Sequence, residues 1–270
     1  MYRSKNDFMH LSVMMVLALV FCCVSASAFD MIFIDEYHAD AEITTEVATR
    51  HISKGKVENP DPVGIVDAKI TLKKFYFEAY GVNNFTNYQK DNGVDRYDFE
   101  KYEFTFGYED RFIVDYVNTL DLDVGYKYTS RNTKRHKRDS RNEFFVDLTT
   151  GLPFSPGIKL NYDPDHNYVY IAPHASYDYA FSEKLTLKNT LTLYWYNHKM
   201  AKHEWGVGGN AFTSLYYQAY LKYQFTEHVS FGPVFEASYA LDARVREAAR
   251  DSDKNNEMNF LFGLRLDADF

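Results

Sequence analysis

Apolar and polar residues alternate along much of this chain, most cleanly towards its end. Met258, Phe260, Phe262, Leu264, Leu266, Ala268 and Phe270 take every second position, and Asn259, Gly263, Arg265, Asp267 and Asp269 fill most of the gaps. A side-chain period of two belongs to a strand with one apolar and one polar face. The alternation recurs upstream and predicts twelve strands, near 41–51, 65–73, 75–84, 97–108, 118–129, 143–150, 157–163, 168–181, 184–196, 212–225, 229–242 and 257–270. Most have the length a tilted strand needs to cross a bilayer, about 9–11 residues. Ten and fourteen are the neighbouring counts that the pattern also allows.

The connections alternate in length. With the first strand running outward, the inner turns are Lys73-Lys74, 109–117, 151–156, Ser182-Glu183 and 226–228. The outer loops are 52–64, 85–96, 130–142, 164–167, 197–211 and 243–256. Short turns at one end and long loops at the other are the asymmetry of transmembrane barrels; 109–117 and 164–167 depart from it. In lipid only a closed sheet leaves no backbone edge unpaired. The expected fold is all-β: an antiparallel, up-and-down transmembrane β-barrel over residues 41–270. Leu185, Leu187, Leu191, Leu193 and Trp195 form one lipid-facing set, and Leu215, Tyr217, Ala219, Leu221, Tyr223 and Phe225 another. Tyr217, Tyr223 and Phe225 suit an interfacial girdle or contact with a second copy in a homo-oligomer.

The N-terminus points to export. Arg3 and Lys5 precede an apolar run from Leu11 to Val24, followed by the small residues Ala26-Ser27-Ala28. That is the layout of a signal peptide, residues 1–28, leaving 29–40 as a periplasmic segment ahead of the barrel. Acylation at Cys22 or Cys23 fits less well, because Phe21 is bulky where a small residue normally precedes a lipidated cysteine. Both cysteines lie in this leader, so disulfides, thiolate metal sites and cysteine nucleophiles are excluded from the exported part. The net charge is −8, and with scattered lysines this argues against nucleic acid as a partner. The 23 Tyr and 22 Phe suit a barrel with aromatic girdles at both interfaces.

Four stretches resemble a group of Gram-negative outer-membrane proteins of this size: Glu46–Gly55, Ile158–Asp163 running into Tyr168–Phe181, Leu185–Tyr196 after the Ser182-Glu183 turn, and the closing strand. The resemblance is one of strands and turns over most of the exported chain. It implies the outer membrane, a barrel, and a terminal Phe270 read by the barrel-insertion machinery. It brings no substrate.

Turned inward, the polar faces supply a lumen of mixed charge. Its acids include Glu46, Asp67, Glu78 and Glu103, then Asp121, Asp123, Asp147, Asp178, Glu236 and Asp267. Its bases include Arg50, Lys69, Lys127 and Lys159, then Lys184, Lys188, Lys222 and Arg265. Lys184, Lys188 and Lys222 make a basic stripe, which Asp178 and Glu236 are placed to neutralise. Asp121 and Asp123 form an acidic side, where like charges repel unless a base such as Lys127 intervenes. Opposed walls set a transverse field in a water-filled pore for small hydrophilic solutes; an interior braced by its own ion pairs is the other reading of the same residues.

Loop residues Arg131, Lys134, Arg135, His136, Lys137, Arg138 and Arg141 are the densest basic run, suited to lipopolysaccharide phosphates at the outer leaflet. His198, His203 and Glu204 match no recognised metal motif and read as a polar loop. His174 with Ser176 or Ser238 is the nearest approach to hydrolase chemistry. No cofactor, metal or enzyme activity is expected. A non-conducting structural or adhesive barrel acting through loops 85–96, 130–142 and 243–256 is the main alternative to a channel, and a membrane-embedded hydrolase is the third.

Overall fold

The computed structural model describes residues 39–86, 97–131 and 139–270. The proposed leader, most of 29–40, and Lys134, Arg135, Lys137 and Arg138 lie outside the described residues.

Twelve antiparallel strands close into a barrel. They are β1 (Ala39–Ala48), β4 (Val63–Leu72), β5 (Phe75–Asn84), β6 (Phe99–Val114), β7 (Asn118–Arg131), β8 (Asp139–Thr150), β9 (Gly157–Asp163), β10 (Tyr168–Ala180), β11 (Leu185–Tyr196), β12 (Ala211–Gln224), β13 (Val229–Ala240) and β14 (Met258–Asp269). Each pairs with its sequence neighbours. The ring closes where Glu42 to Ala48 of β1 meet Asp269 to Gly263 of β14. Ala41 and Phe270 exchange backbone hydrogen bonds of 2.9 and 2.8 Å at the rim of that seam.

The outward faces are apolar, as the alternation predicts. On β14, Met258, Phe260, Phe262 and Leu264 are exposed, Leu264 at 67 %, whereas Asn259 and Leu261 between them are buried. Phe75 stacks on Phe106 and Phe77 on Phe104 across β5 and β6. On a water-soluble protein such an uninterrupted apolar surface marks an interaction site; around a whole closed barrel it marks lipid.

Three elements depart from the simple barrel, all at the long-loop end. A two-stranded hairpin, β2 (His51–Ser53) and β3 (Lys56–Asn59), occupies the connection expected to be an outer loop. Helix α1 (His198–Trp205) and helix α2 (Ala243–Arg250) lie in two further loops. At the other end β6 runs on to Val114, so the turn there is far shorter than 109–117 and matches the other inner turns.

Candidate functional site: the lumen and its inward hairpin

The hairpin folds into the barrel instead of standing above it. Its turn, Lys54-Gly55, has φ of 51° and 78°. Glycine is required at the second position, because a Cβ on Gly55 would collide with the Ser214 hydroxyl on the wall. The carbonyl of Lys54 accepts from Ser214 Oγ at 3.1 Å and from the Tyr196 hydroxyl at 3.5 Å. Its Nζ lies 3.2 Å from Glu143 and 4.2 Å from the centre of the Tyr170 ring. A hairpin rooted between β1 and β4 therefore touches β8, β10, β11 and β12 with its tip. Beneath it, Ile52 and Val57 pack on Ala48, Val63, Val82 and Leu261, all buried inward residues of the wall.

Charge fastens the hairpin to one wall. Arg131 meets Glu58 at 2.5 Å, and Glu58 lies 3.8 Å from Lys101. Lys101 meets Glu103 at 3.2 Å, and Glu103 lies 3.8 Å from Lys127. Lys127 meets Glu143 at 3.1 Å, and Glu143 returns to Lys54. The signs alternate along the whole series, which starts from Arg131 on the wall, takes in Glu58 of the hairpin and ends on Lys54 at its tip. His51 lies 3.6 Å from Glu58 and 3.4 Å from Glu100, with its other ring nitrogen 3.3 Å from the Tyr80 hydroxyl. Burial pushes the Glu58 carboxyl up, but Arg131 and Lys101 outweigh it and hold it at about 2. Burial pulls the Lys54 ammonium down to about 8, against the opposing pull of Glu143.

The two helices roof the hairpin. Asn197 caps α1 by accepting from the Met200 amide at 3.0 Å, and Gly206 ends it at φ 71°. Met200, Ala201 and Trp205 of α1 pack with Val245 and Ala249 of α2 on Tyr170, Tyr196 and Ala240. Glu204 receives Lys56 at 3.1 Å and Arg141 at 2.7 Å. Burial would raise the Glu204 carboxyl, but these cations and Arg131 hold it well below the usual range. Asn255 Oδ1 accepts from the Val57 amide at 2.8 Å.

Space remains on the short-turn side. A vestibule of about 610 Å³ is lined by Lys188, Lys222, Tyr220, Arg265, Asp267 and Glu109. A second cavity of about 460 Å³ lies against β4 to β9, with Asp67, Glu78, Glu103, Asp123, Lys127 and Asn161 in its wall. Among the described residues Lys184, Lys188 and Lys222 enter no ion pair. Asp178 is the cross-strand partner of Lys188 without forming one, and Glu236 accepts from Gln218 at 2.8 Å. The expected neutralisation of the stripe is therefore absent among those residues. In the strand order β11 and β12 lie six positions from β5 and β6, so the lysines stand across the ring from Glu78 and Glu109.

Other expected partners differ. Asp121 is neutralised by Arg111 at 2.6 Å, and Asp123 accepts from the Tyr76 hydroxyl at 2.9 Å; Lys127 belongs instead to Glu103 and Glu143. Arg265 makes two bonds to Glu46, at 3.0 and 2.8 Å. Arg131 and Arg141, expected in an outward basic loop, are engaged inward by Glu58 and Glu204. His198, His203 and Glu204 do not converge: His198 Nδ1 accepts from Gly209, His203 lies against Tyr168, and Glu204 is already held by Lys56 and Arg141. His174 approaches Thr149 at 3.1 Å and Asp147 at 3.7 Å, both through Nε2. Ser176 bonds to Thr190 at 3.0 Å, and Ser238 accepts from Asn259 at 3.5 Å. Neither serine is paired with His174 as a nucleophile needs.

No protein-family model matches the sequence, and no curated protein does. Solved structures do. The NanC porin superposes with a TM-score of 0.50 at 11 % identity, over 84 % of this chain and 98 % of that one. An outer membrane channel from Pseudomonas putida F1 gives 0.48 at 10 %, over 86 % and 95 %. The KdgM porin, in complex with disordered oligogalacturonate, gives 0.47 at 8 %, over 86 % and 99 %. This chain has the closed-barrel fold that outer-membrane porins adopt.

Proposed function

We propose that the chain is an outer-membrane channel through which small hydrophilic solutes diffuse, with the β2–β3 hairpin setting the aperture and the two walls imposing a transverse field. The observation that carries this reading is that, among the described residues, Lys188 and Lys222 enter no ion pair while they share a solvent-sized vestibule and face carboxylates across the ring. A lumen serving only as mechanical bracing would use its cations to pair acids, whereas Lys188 is exposed and Lys222 half-exposed to the vestibule. The apolar exterior and the asymmetry of loop lengths support insertion in a bilayer with the hairpin end outward. A leader at residues 1–28 and an insertion role for Phe270 belong to the same reading.

The alternating series from Arg131 to Lys54 favours a second reading, a barrel stoppered by its own hairpin that works through its outer surface. Purified protein in planar bilayers separates the two. A channel gives discrete conductance steps that grow when residues 50–60 are replaced by a short glycine-serine linker. A stoppered barrel gives none in the intact protein.

A further inference from the structure

We propose that the 460 Å³ cavity beneath the hairpin is a binding site for a small polar solute carrying an amine, an organic cation with hydroxyl groups being the best fit. This rests on the channel reading and names the class of solute that it favours.

The volume falls in the range of small-molecule sites, about 300–1,000 Å³. The cavity's charge is unbalanced in a specific way. Each lysine in its wall already has an acid: Lys69 holds Glu109 at 2.8 Å, Lys127 holds Glu143 at 3.1 Å, and Lys159 lies 3.7 Å from Asp147. Three of its acids have no base. Among the described residues Asp67, Glu78 and Asp123 enter no ion pair, and Asp67 and Glu78 line the same cavity from the adjacent strands β4 and β5. Like charges on neighbouring strands repel, and a cation between them relieves that repulsion.

Asn161 supplies the second, independent observation. It is 1 % exposed and lines the cavity, yet neither its Oδ1 nor its Nδ2 has a hydrogen-bond partner. A buried amide with both ends unsatisfied has lost its hydrogen bonds to water and gained none in return. Asp67 Oδ1 is likewise buried without a donor. Together these groups ask for a molecule that donates to two acceptors and accepts from one donor. An ammonium supplies the donors and the charge, and a hydroxyl supplies the acceptor. Tyr76, Tyr80 and Phe145 complete the wall and give the carbon skeleton an apolar surface.

Three sugars of nearly equal size provide the test: glucosamine, glucose and glucuronate. Titration calorimetry on the full-length protein in detergent is expected to show heat for glucosamine only. Asn161→Leu and Asp67→Asn should each weaken it at least tenfold, while circular dichroism shows an intact barrel. Should Asn161→Leu fail to fold, Asp67→Asn and Glu78→Gln carry the same comparison. Glucuronate binding as well as glucosamine, glucose binding equally, or glucosamine binding unmoved by these variants overturns the proposal. Bilayer conductance of the same preparation keeps the two readings apart. Conductance without glucosamine binding removes this site and leaves the channel; binding without conductance does the reverse.

Discussion

At the scale of single residues, Gly55 and Leu261 say most about how the lumen is built. Gly55 occupies the one point where the hairpin presses against the far wall with no room for a side chain. Gly55→Val combines that collision with a strained positive φ, so the tip lifts from Ser214 and Tyr196. The expected result is a several-fold rise in single-channel conductance with strand content by circular dichroism unchanged. Leu261 shows what was legible beforehand and what was not. The alternation of β14 assigns it to the inward, polar face, where an apolar residue is out of place. It is 1 % exposed because Ile52 and Val57 of the hairpin cover it. Ala48, Val63 and Val82 are the same kind of exception. Apolar residues at inward positions were the available signal for a docked hairpin. Each is a single break in a long pattern and does not reveal its partner.

Among the elements, the long strands were readable because a period of two sustained over ten residues is a strong signal. The hairpin strands of three and four residues and the two eight-residue helices are too short to show any period. What shapes them is tertiary contact. The hairpin's hold is expected to follow pH with two signs. Glu58 falls from an ordinary value of 4.5 to about 2 on docking. The docked form thus binds its proton less readily, its advantage is complete above 4.5, and that advantage is lost as pH falls towards 2. Lys54 falls from 10.5 to about 8. Between those values the free hairpin holds the proton that the docked one has lost, so docking strengthens as pH rises from 8 to 10.5. Conductance recorded across pH is expected to rise on the acid side and fall on the alkaline side. Glu58→Gln should weaken the acid limb and leave the alkaline one, because Glu204 and Glu143 still hold Lys56 and Lys54 of the hairpin. On the roof, Asn197→Ala removes the α1 cap at a cost of about 1 kcal/mol. Faster amide exchange over residues 198–205, with barrel strands unchanged, is the measurable consequence.

For the molecule as a whole, strand number and inward face follow from the pattern, whereas the pairing of charges does not. Which cation meets Asp121 depends on how far β6 and β7 run together beyond the rim, and that placed Arg111 rather than Lys127 beside it. The transverse field proposed for the lumen is a property of the ring, since it needs β11 and β12 to stand opposite β5 and β6. Replacing both Lys188 and Lys222 by Gln takes two positive charges from one wall and leaves the other intact. In a salt gradient the reversal potential should move towards cation selectivity by several millivolts or more; an unchanged potential would place these lysines outside the ion path.

The seam between β1 and β14 joins residues as far apart as Thr44 and Asp267, which are hydrogen-bonded at 2.9 Å. Until the last strand arrives, the first has a bare backbone edge, the kind of surface on which sheets add to the wrong neighbour. Such distant pairings form slowly. The nascent sheet therefore needs a guardian for its leading edge, and the time spent waiting is when this protein is most exposed to aggregation.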